Sequence, residues 1–294
     1  MFGLLNLNKP AGVTSRDVVN VVQSLVYPAK AGHAGTLDPL AEGVLLVCVG
    51  PATRLIEYLQ RMPKRYRGTF LLGRRSDTED VTGTVVELAD PPQPTRAEVE
   101  AALGQFIGDI EQQPPIFSAK KVGGRRAYKL AREGKRPRLA SRTVQIHRIE
   151  LLAYGYPELE LDVTCGSGTY IRSLGRDIAQ TLGSAAVMSR LTRTAIGDFQ
   201  LEDAVNPDEL TRQNVDGRLI AAARAVSSLP AVQVDEEEEA EIAFGRTIER
   251  AELPRAGEYA ALTAEGRLVA ILALREGDRL GPTRYFPLPR NELA

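Results

Sequence analysis

The chain has no tryptophan and only two cysteines, two histidines and three methionines in 294 residues. So few cysteines exclude a disulfide framework. Cys48 and Cys165 each sit inside an apolar, strand-like run and match no metal-ligand spacing, as expected of buried thiols. With only His33 and His147 to supply imidazole, an all-protein zinc site lacks donors. No apolar run approaches the roughly 18 residues of a membrane span. The start, Met-Phe-Gly-Leu-Leu-Asn-Leu-Asn-Lys-Pro, lacks the basic beginning and apolar core of a secretion signal, so a cytoplasmic location is expected. Whatever chemistry occurs here must rely on carboxylates, arginines and tyrosines.

A strong net charge is also missing, the formal value being −1. Its distribution is uneven. From Gln113 to Glu150, eleven Lys/Arg stand against two acids, Glu133 and Glu150, a local balance of +9. From Val232 to Ala294, eight basic residues stand against thirteen acidic ones, a balance of −5. Such asymmetry marks either a polyanion-binding face or a solvated basic loop. Hydrophobic content of 43% and charged content of 26% are ordinary for a globular protein. The length suits one large domain and a small one.

Along the chain, Leu4–Leu7 reads as a strand ending at Lys9-Pro10. Thr14 or Ser15 then caps a helix with the apolar stripe Val18, Val22, Leu25 and Val26. Two glycines and a proline make Ala31–Pro39 a loop. The continuous apolar run Gly43–Val49 reads as a buried strand, Thr53–Leu59 as helical and Tyr66–Leu72 as a strand. Pro91-Pro92-Gln93-Pro94 leads into a helix opened by the capping box Thr95-x-x-Glu98. The basic stretch holds a short helix around Ala127–Glu133. Strands are expected at Val144–Leu152 and Leu159–Cys165, and a helix over Ile171–Leu182. Helical and loop segments follow to Leu229-Pro230, then a small all-β unit with strands at Tyr259–Leu262 and Leu268–Leu274. No internal repeat is visible.

Asp38 lies in a glycine-bearing loop, before a proline, at the entrance to the buried Gly43–Val49 strand. A carboxylate at that sheet edge is held away from bulk water, although Asp-Pro is also ordinary turn chemistry. Lys64-Arg65-Tyr66-Arg67 and Gly166-Ser167-Gly168-Thr169-Tyr170-Ile171-Arg172 each place a tyrosine beside arginine. Aromatic rings stack on unpaired bases, and guanidinium groups pair with carboxylate or phosphate.

These segments, taken in order, resemble the TruB family of tRNA pseudouridine synthases over nearly the whole chain. The matching stretches are Leu7-Asn8-Lys9-Pro10-x-Gly12-x-Thr14-Ser15 and Gly32-His33-Ala34-Gly35-Thr36-Leu37-Asp38-Pro39-Leu40-Ala41-x-Gly43-Val44-Leu45. Lys64-Arg65-Tyr66 and Gly73-Arg74-x-Ser76-Asp77-Thr78-x-Asp80 follow. Then come Gln113-Pro114-Pro115-x-Phe117-Ser118-Ala119-Lys120-Lys121, Gly168-Thr169-Tyr170-Ile171-Arg172-Ser173-Leu174 and Leu191-Thr192-Arg193-Thr194. Each stretch is weak alone; their ordered set is specific.

The resemblance implies an α+β pseudouridine synthase fold: a mixed, mainly antiparallel sheet flanked by helices over 1–229, with a basic RNA-clamping insertion at about 113–145. A small β-rich, PUA-like domain follows over 230–294. It implies an isomerase that converts uridine 55 in the T-loop of tRNA to pseudouridine, with no metal or organic cofactor. Asp38 is the implied nucleophile, Tyr66 the ring against the flipped base, and Arg172 the partner of Asp38. Tyr170 and Leu191 line the base site, His33 lies near the flipped T-loop nucleotides, and Lys9, Lys120, Lys121 and Arg125 bind substrate. The expected partner is the tRNA T-arm, with no guide RNA, no membrane and a monomeric state. Three alternatives remain at this level: an RNA-guided synthase, a tRNA-binding folding helper, and a retaining glycoside hydrolase using Asp38 and Glu42. The tyrosines and the basic stretch have no role in the last of these.

Overall fold

The computed structural model describes residues 1–117, 121–122, 124–126, 130, 133–135, 139–250, 253–254, 256–275 and 278–287. Its architecture is α+β. The main sheet runs in the order Gly3–Lys9, Glu42–Val49, Ala186–Ile196, Lys64–Leu72, Glu158–Cys165, Arg142–Gly155 and Gly108–Gln112. Neighbours along this order are antiparallel except Glu42–Val49 and Ala186–Ile196, which meet in parallel at Thr192–Glu42 and Arg193–Gly43.

The apolar run at 44–49 is buried on both faces, and its period of two divides it between two cores. Leu45, Val47 and Val49 pack on the helix Ser15–Val26 through Val18, Val19, Val22 and Val26. Val44, Leu46 and Cys48 pack on Ala52, Leu55, Tyr58 and Leu59 from the turn and helix that follow. The Ser15–Val26 helix opens with Thr14 as N-cap in a reciprocal box with Asp17. In the strand Lys64–Leu72, residues 64, 66, 68, 70 and 72 are buried while Arg65 and Arg67 point outward. The helix Ile171–Thr181 lies against that buried face. Only glycine fits at 175, where a Cβ would come within 2.2 Å of the Phe70 ring.

Three elements depart from the sequence expectation. Ala31–His33, expected as loop, pairs with Val47–Val49. It covers the strand edge that Ala186–Ile196 leaves after its short parallel contact, where buried backbone groups would otherwise lack partners. Ala186–Ile196, expected as helix or loop, is an eleven-residue central strand. Ser189, Arg190, Thr192, Arg193 and Thr194 break its apolar alternation, and register shifts between Met188 and Arg190 and between Arg193 and Ala195 scramble the period. Gly108–Gln112 is an edge strand with a single apolar residue, too weak a signal to read. The expected helical stretch at 53–59 is a 3-10 turn, Gly50–Leu55, running into the helix Ile56–Arg61. The helix expected around 127–133 falls mostly outside the described residues.

A second sheet follows in the order Ala231–Gln233, Tyr259–Leu262, Leu268–Leu274, Arg279–Tyr285 and Ile248–Glu249. The acidic helix Glu236–Ala243, capped by Asp235, accompanies it. This unit packs firmly on the first: Ala260, Leu268, Ile271 and Phe286 share a core with Leu55, Tyr58 and Ala225. Phe286 stacks on Phe2 with ring centroids 5.3 Å apart, and Arg54 Nη1 donates to Tyr285 O at 2.8 Å. Among the described residues, no helix is long and apolar enough to cross a membrane.

Candidate active site

Asp38 lies in the loop between Ala31–His33 and Glu42–Val49, and both of its neighbours are pinned from the amino-terminal segment. Ser15 Oγ accepts from Leu37 N at 2.8 Å and donates to Leu37 O at 3.1 Å. Pro39 O accepts from Gly12 N at 2.7 Å and from Lys9 Nζ at 3.5 Å. From the sheet, Arg193 Nη2 donates to Gly35 O at 3.2 Å and Arg193 Nε to Val44 O at 2.7 Å. Hydrogen bonds from three directions therefore fix the backbone that presents the carboxylate.

Arg172 Nη2 meets Asp38 Oδ2 at 2.8 Å, with the arginine side chain 6% exposed and the aspartate 40% exposed. Its two terminal nitrogens make further contacts: Nη1 donates to Thr78 O at 2.7 Å, Nη2 to Phe117 O at 3.0 Å, and Asp80 Oδ2 lies 3.6 Å from Nη1. Asp80 is itself oriented by Thr78 Oγ1 at 2.7 Å and Thr82 N at 3.0 Å. A buried, delocalised cation thus holds one carboxylate in the interior and one at the floor of an opening, an arrangement suited to the planar fork of arginine.

That opening is a cavity of about 320 Å³ walled by Asp38, Tyr66, Tyr170, Arg172, Leu191 and Arg193 among others, at the lower end of the range of small-ligand sites. Tyr66 is opposite Val163 on one side and Arg193 on the other, and Leu191 is opposite Gly68, so the strand register brings Tyr66 and Leu191 onto one wall. Burial pushes the Tyr66 phenol above its ordinary value, and the Arg193 guanidinium facing it opposes that rise. Lys64 also borders the cavity; burial pulls its ammonium down to about 8, and it donates to Gln60 O and, at 2.5 Å, to Met62 O.

Tyr170 caps the Ile171–Thr181 helix without a side-chain bond of its own, but Gln112 grips its backbone: Tyr170 N donates to Gln112 Oε1 at 2.8 Å and Gln112 Nε2 to Tyr170 O at 3.1 Å. The Arg142 guanidinium lies 4.8 Å from the centre of the Tyr170 ring. Gly168 has φ of +87° and a Cβ there would come 3.1 Å from the Arg142 guanidinium, so glycine is needed for both the turn and the stack.

Residues 23–171 match the model of the TruB family pseudouridylate synthase (N terminal domain), and residues 229–287 match that of tRNA pseudouridine synthase II, C terminal. The chain belongs to the TruB family. Relatives named tRNA pseudouridine synthase B include that of Bacillus pumilus (strain SAFR-032), 40% identical over 281 residues, covering 92% of this chain and 89% of the relative. The protein of that name from Synechocystis sp. (strain ATCC 27184 / PCC 6803 / Kazusa) is 42% identical over 260 residues, with 86% and 88% covered. Among solved structures, a chain of a Cbf5-Nop10-Gar1 complex superposes with a TM-score of 0.75 at 27% identity, covering 99% of this chain and 86% of that one. A chain of an H/ACA RNP bound to a substrate RNA containing 2′-deoxyuridine superposes with a TM-score of 0.74 at 26% identity, with 99% and 86% covered.

In this TruB-family chain the structure gathers Asp38, Tyr66, Tyr170, Arg172 and Leu191 around one cavity. Other residues singled out in the sequence lie elsewhere. Lys9, expected on substrate, is 0% exposed: its ammonium, pulled down to about 8 by burial, donates to Pro10 O at 2.8 Å and Val13 O at 2.7 Å. It supports the Asp38 loop from beneath and cannot reach RNA, because a chain turn encloses it. His33 belongs to the short Ala31–His33 strand and is not part of the cavity wall. Arg125 is exposed, in a short strand paired with Lys121–Val122, and pairs with Glu133, whose carboxyl that bond holds below its usual value. Lys120 and the side chain of Lys121 lie outside the described residues. The sequence reading assigned no role to Arg142, Arg193, Asp80 or Gln112. Arg193 and Asp80 stand inside the family motifs, which was the available signal; Arg142 and Gln112 carried none.

Proposed function

We propose that the protein is a stand-alone tRNA pseudouridine synthase that converts uridine 55 of the T-loop to pseudouridine, with Asp38 as nucleophile and the flipped base against Tyr66. The observation that carries this reading is the Asp38–Arg172 ion pair at the floor of a cavity bordered by an aromatic and an aliphatic side chain. The reaction breaks the N1–C1′ bond of uridine, turns the base, forms a C5–C1′ bond, and releases the C5 proton while N1 takes one up, so atoms and electrons balance without an external reagent. An ionised carboxylate attacking carbon, at C6 of the base or C1′ of the sugar, divides the exchange into two easier steps. Arg172 supplies a countercharge 2.8 Å from the Asp38 carboxylate beside an apolar wall.

The base must leave its stack to reach Asp38, and stacking on Tyr66 returns about 1–3 kcal/mol against an unstacking cost of a few. Leu191 and the buried face of Tyr66 exclude water from the base. The basic segment supplies phosphate contacts, which give affinity and salt dependence without selecting the base. Residues 1–229 are read as the catalytic unit and residues 230–294 as a PUA-like unit. The guide-free reading is supported by similarity at about 40% identity to proteins named tRNA pseudouridine synthase B, against 26–27% to chains of H/ACA assemblies. The test is nucleotide-resolution pseudouridine mapping of bulk tRNA after incubation with the purified protein and no guide RNA. Pseudouridine confined to position 55 supports the reading; no new pseudouridine without a guide overturns it.

A further inference from the structure

Glu79 stands between the two groups that hold Arg172 within its loop. The carbonyl of Thr78 accepts from Arg172 Nη1 at 2.7 Å, and the carboxylate of Asp80 lies 3.6 Å from the same nitrogen. Glu79 itself has φ of 62°, the left-handed region, where a residue with a long side chain is disfavoured unless its surroundings hold it. They do so twice over. Its backbone is fixed by Glu79 N donating to Ser76 O at 3.2 Å and Met188 N donating to Glu79 O at 3.0 Å. Its carboxylate accepts from Ser173 Oγ at 2.8 Å and pairs with Arg176. Ser173 and Arg176 lie on the helix that carries Arg172, one residue and one turn further on. Arg176 Nη2 also donates to Gln113 O at 3.0 Å, so it ties down the chain leading to Phe117, whose carbonyl accepts from Arg172.

We infer that Glu79 is a positioning residue: a brace that locks the Ser76–Thr82 loop to the Ile171–Thr181 helix, so that Arg172 holds the Asp38 carboxylate at one angle toward the cavity. The left-handed backbone at Glu79 is the conformation that aims the Thr78 carbonyl at Arg172 and the Glu79 carboxylate at the helix together. A simple loop anchor would not need a strained residue at that point. Glu79 is not among the residues lining the cavity, so its effect falls on the orientation of the carboxylate and not on RNA binding. This inference rests on the reading of Asp38 as nucleophile.

The test is single-turnover pseudouridine formation on a T-arm substrate, with tRNA affinity and thermal midpoint measured on the same samples. Glu79→Gly removes the brace while relieving the left-handed backbone; Glu79→Gln keeps its shape and removes its charge. The rate should fall about ten-fold in Glu79→Gly and about three-fold in Glu79→Gln, with affinity changed by less than about two-fold. Ser173 and Arg176 lose their carboxylate partner in Glu79→Gly, so its thermal midpoint should fall, with relief of the left-handed backbone offsetting part of the loss. Rates are therefore compared well below the lower midpoint. Arg176→Met should match Glu79→Gly, and the double variant should be no slower than the slower single one. Wild-type rates in Glu79→Gly, or a rate loss matched by a loss of affinity, would overturn the inference alone. A wild-type protein that makes no pseudouridine would overturn the proposed function and this inference with it.

Discussion

Arg172 and Asp38 form an ion pair of unequal burial: the guanidinium is enclosed, with its Nη2 2.8 Å from Asp38 Oδ2, while the carboxylate opens onto the cavity. The cation is therefore enclosed by the protein, and the anion is the member of the pair open to the cavity. Asp80 shares the same guanidinium at 3.6 Å from the interior side. Removing either partner of this set has different consequences, and these can be measured.

Asp38→Asn keeps the volume of the side chain and removes the anion proposed as nucleophile. It should bind tRNA within about three-fold of wild type and lose more than about 10³-fold in turnover, as removal of a nucleophile does. Binding and pseudouridine assays on one T-arm transcript check this. Full turnover by the variant would sink the assignment of Asp38.

Arg172→Met strands the buried Asp80 carboxylate and the carbonyls of Thr78 and Phe117. Leaving one member of a buried pair alone costs about 3–5 kcal/mol, readable by urea unfolding. Adding Asp80→Asn should recover part of that stability without recovering turnover. Arg172→Lys should fall between, because one ammonium cannot span four acceptors. Wild-type turnover in Arg172→Met would exclude its role beside Asp38.

The basic segment should act through phosphates. Replacing Lys120, Lys121 and Arg125 by glutamine should weaken tRNA binding and lower the salt slope by about one for each phosphate no longer neutralised. Glu133 competes for Arg125 and also lies 3.3 Å from Lys135, so Glu133→Gln should tighten binding at low salt. A salt slope unchanged in the triple variant would count against the clamp.

Lys9 gives a pH signature of stability. Its folded-state pKa of about 8 lies below the ordinary 10.5, chiefly through burial. Between these values the unfolded chain binds more protons than the folded one, so this lysine's contribution makes stability rise with pH across that window. Comparing wild type with Lys9→Met in urea at pH 7 and pH 10 isolates it. The difference should move in favour of wild type by on the order of 2 kcal/mol. A pH-independent difference would mean that Lys9 keeps its ordinary value when folded.

The elements read most directly from the sequence were those with a strong local signal. The capping boxes at Thr14 and Thr95 start helices where they stand, and the apolar run through Val44–Val49 forms a buried strand. Ala186–Ile196 was not legible because its bulges and inward-facing Arg193 destroy the period on which strand reading depends. Lys9 was misread for a related reason. A lysine in a motif beside the reactive loop suggests substrate contact, and only the folded chain reveals that its ammonium is enclosed by the carbonyls of Pro10 and Val13.

Residue type and spacing along the chain were enough for a mixed sheet flanked by helices and a β-rich tail, and the resemblance of the ordered motifs to the TruB family implied that Asp38, Tyr66, Tyr170, Arg172 and Leu191 form one set. Three further relationships exist only in the folded chain. Arg193 sits 1% exposed beneath the Asp38 loop, Arg142 stacks on Tyr170, and Glu79 braces the helix carrying Arg172. Each depends on strand register or on contacts between residues 28 to 158 positions apart, such as Arg193 with Gly35. No local pattern encodes them, because distant side chains meet only when the sheet and helices pack.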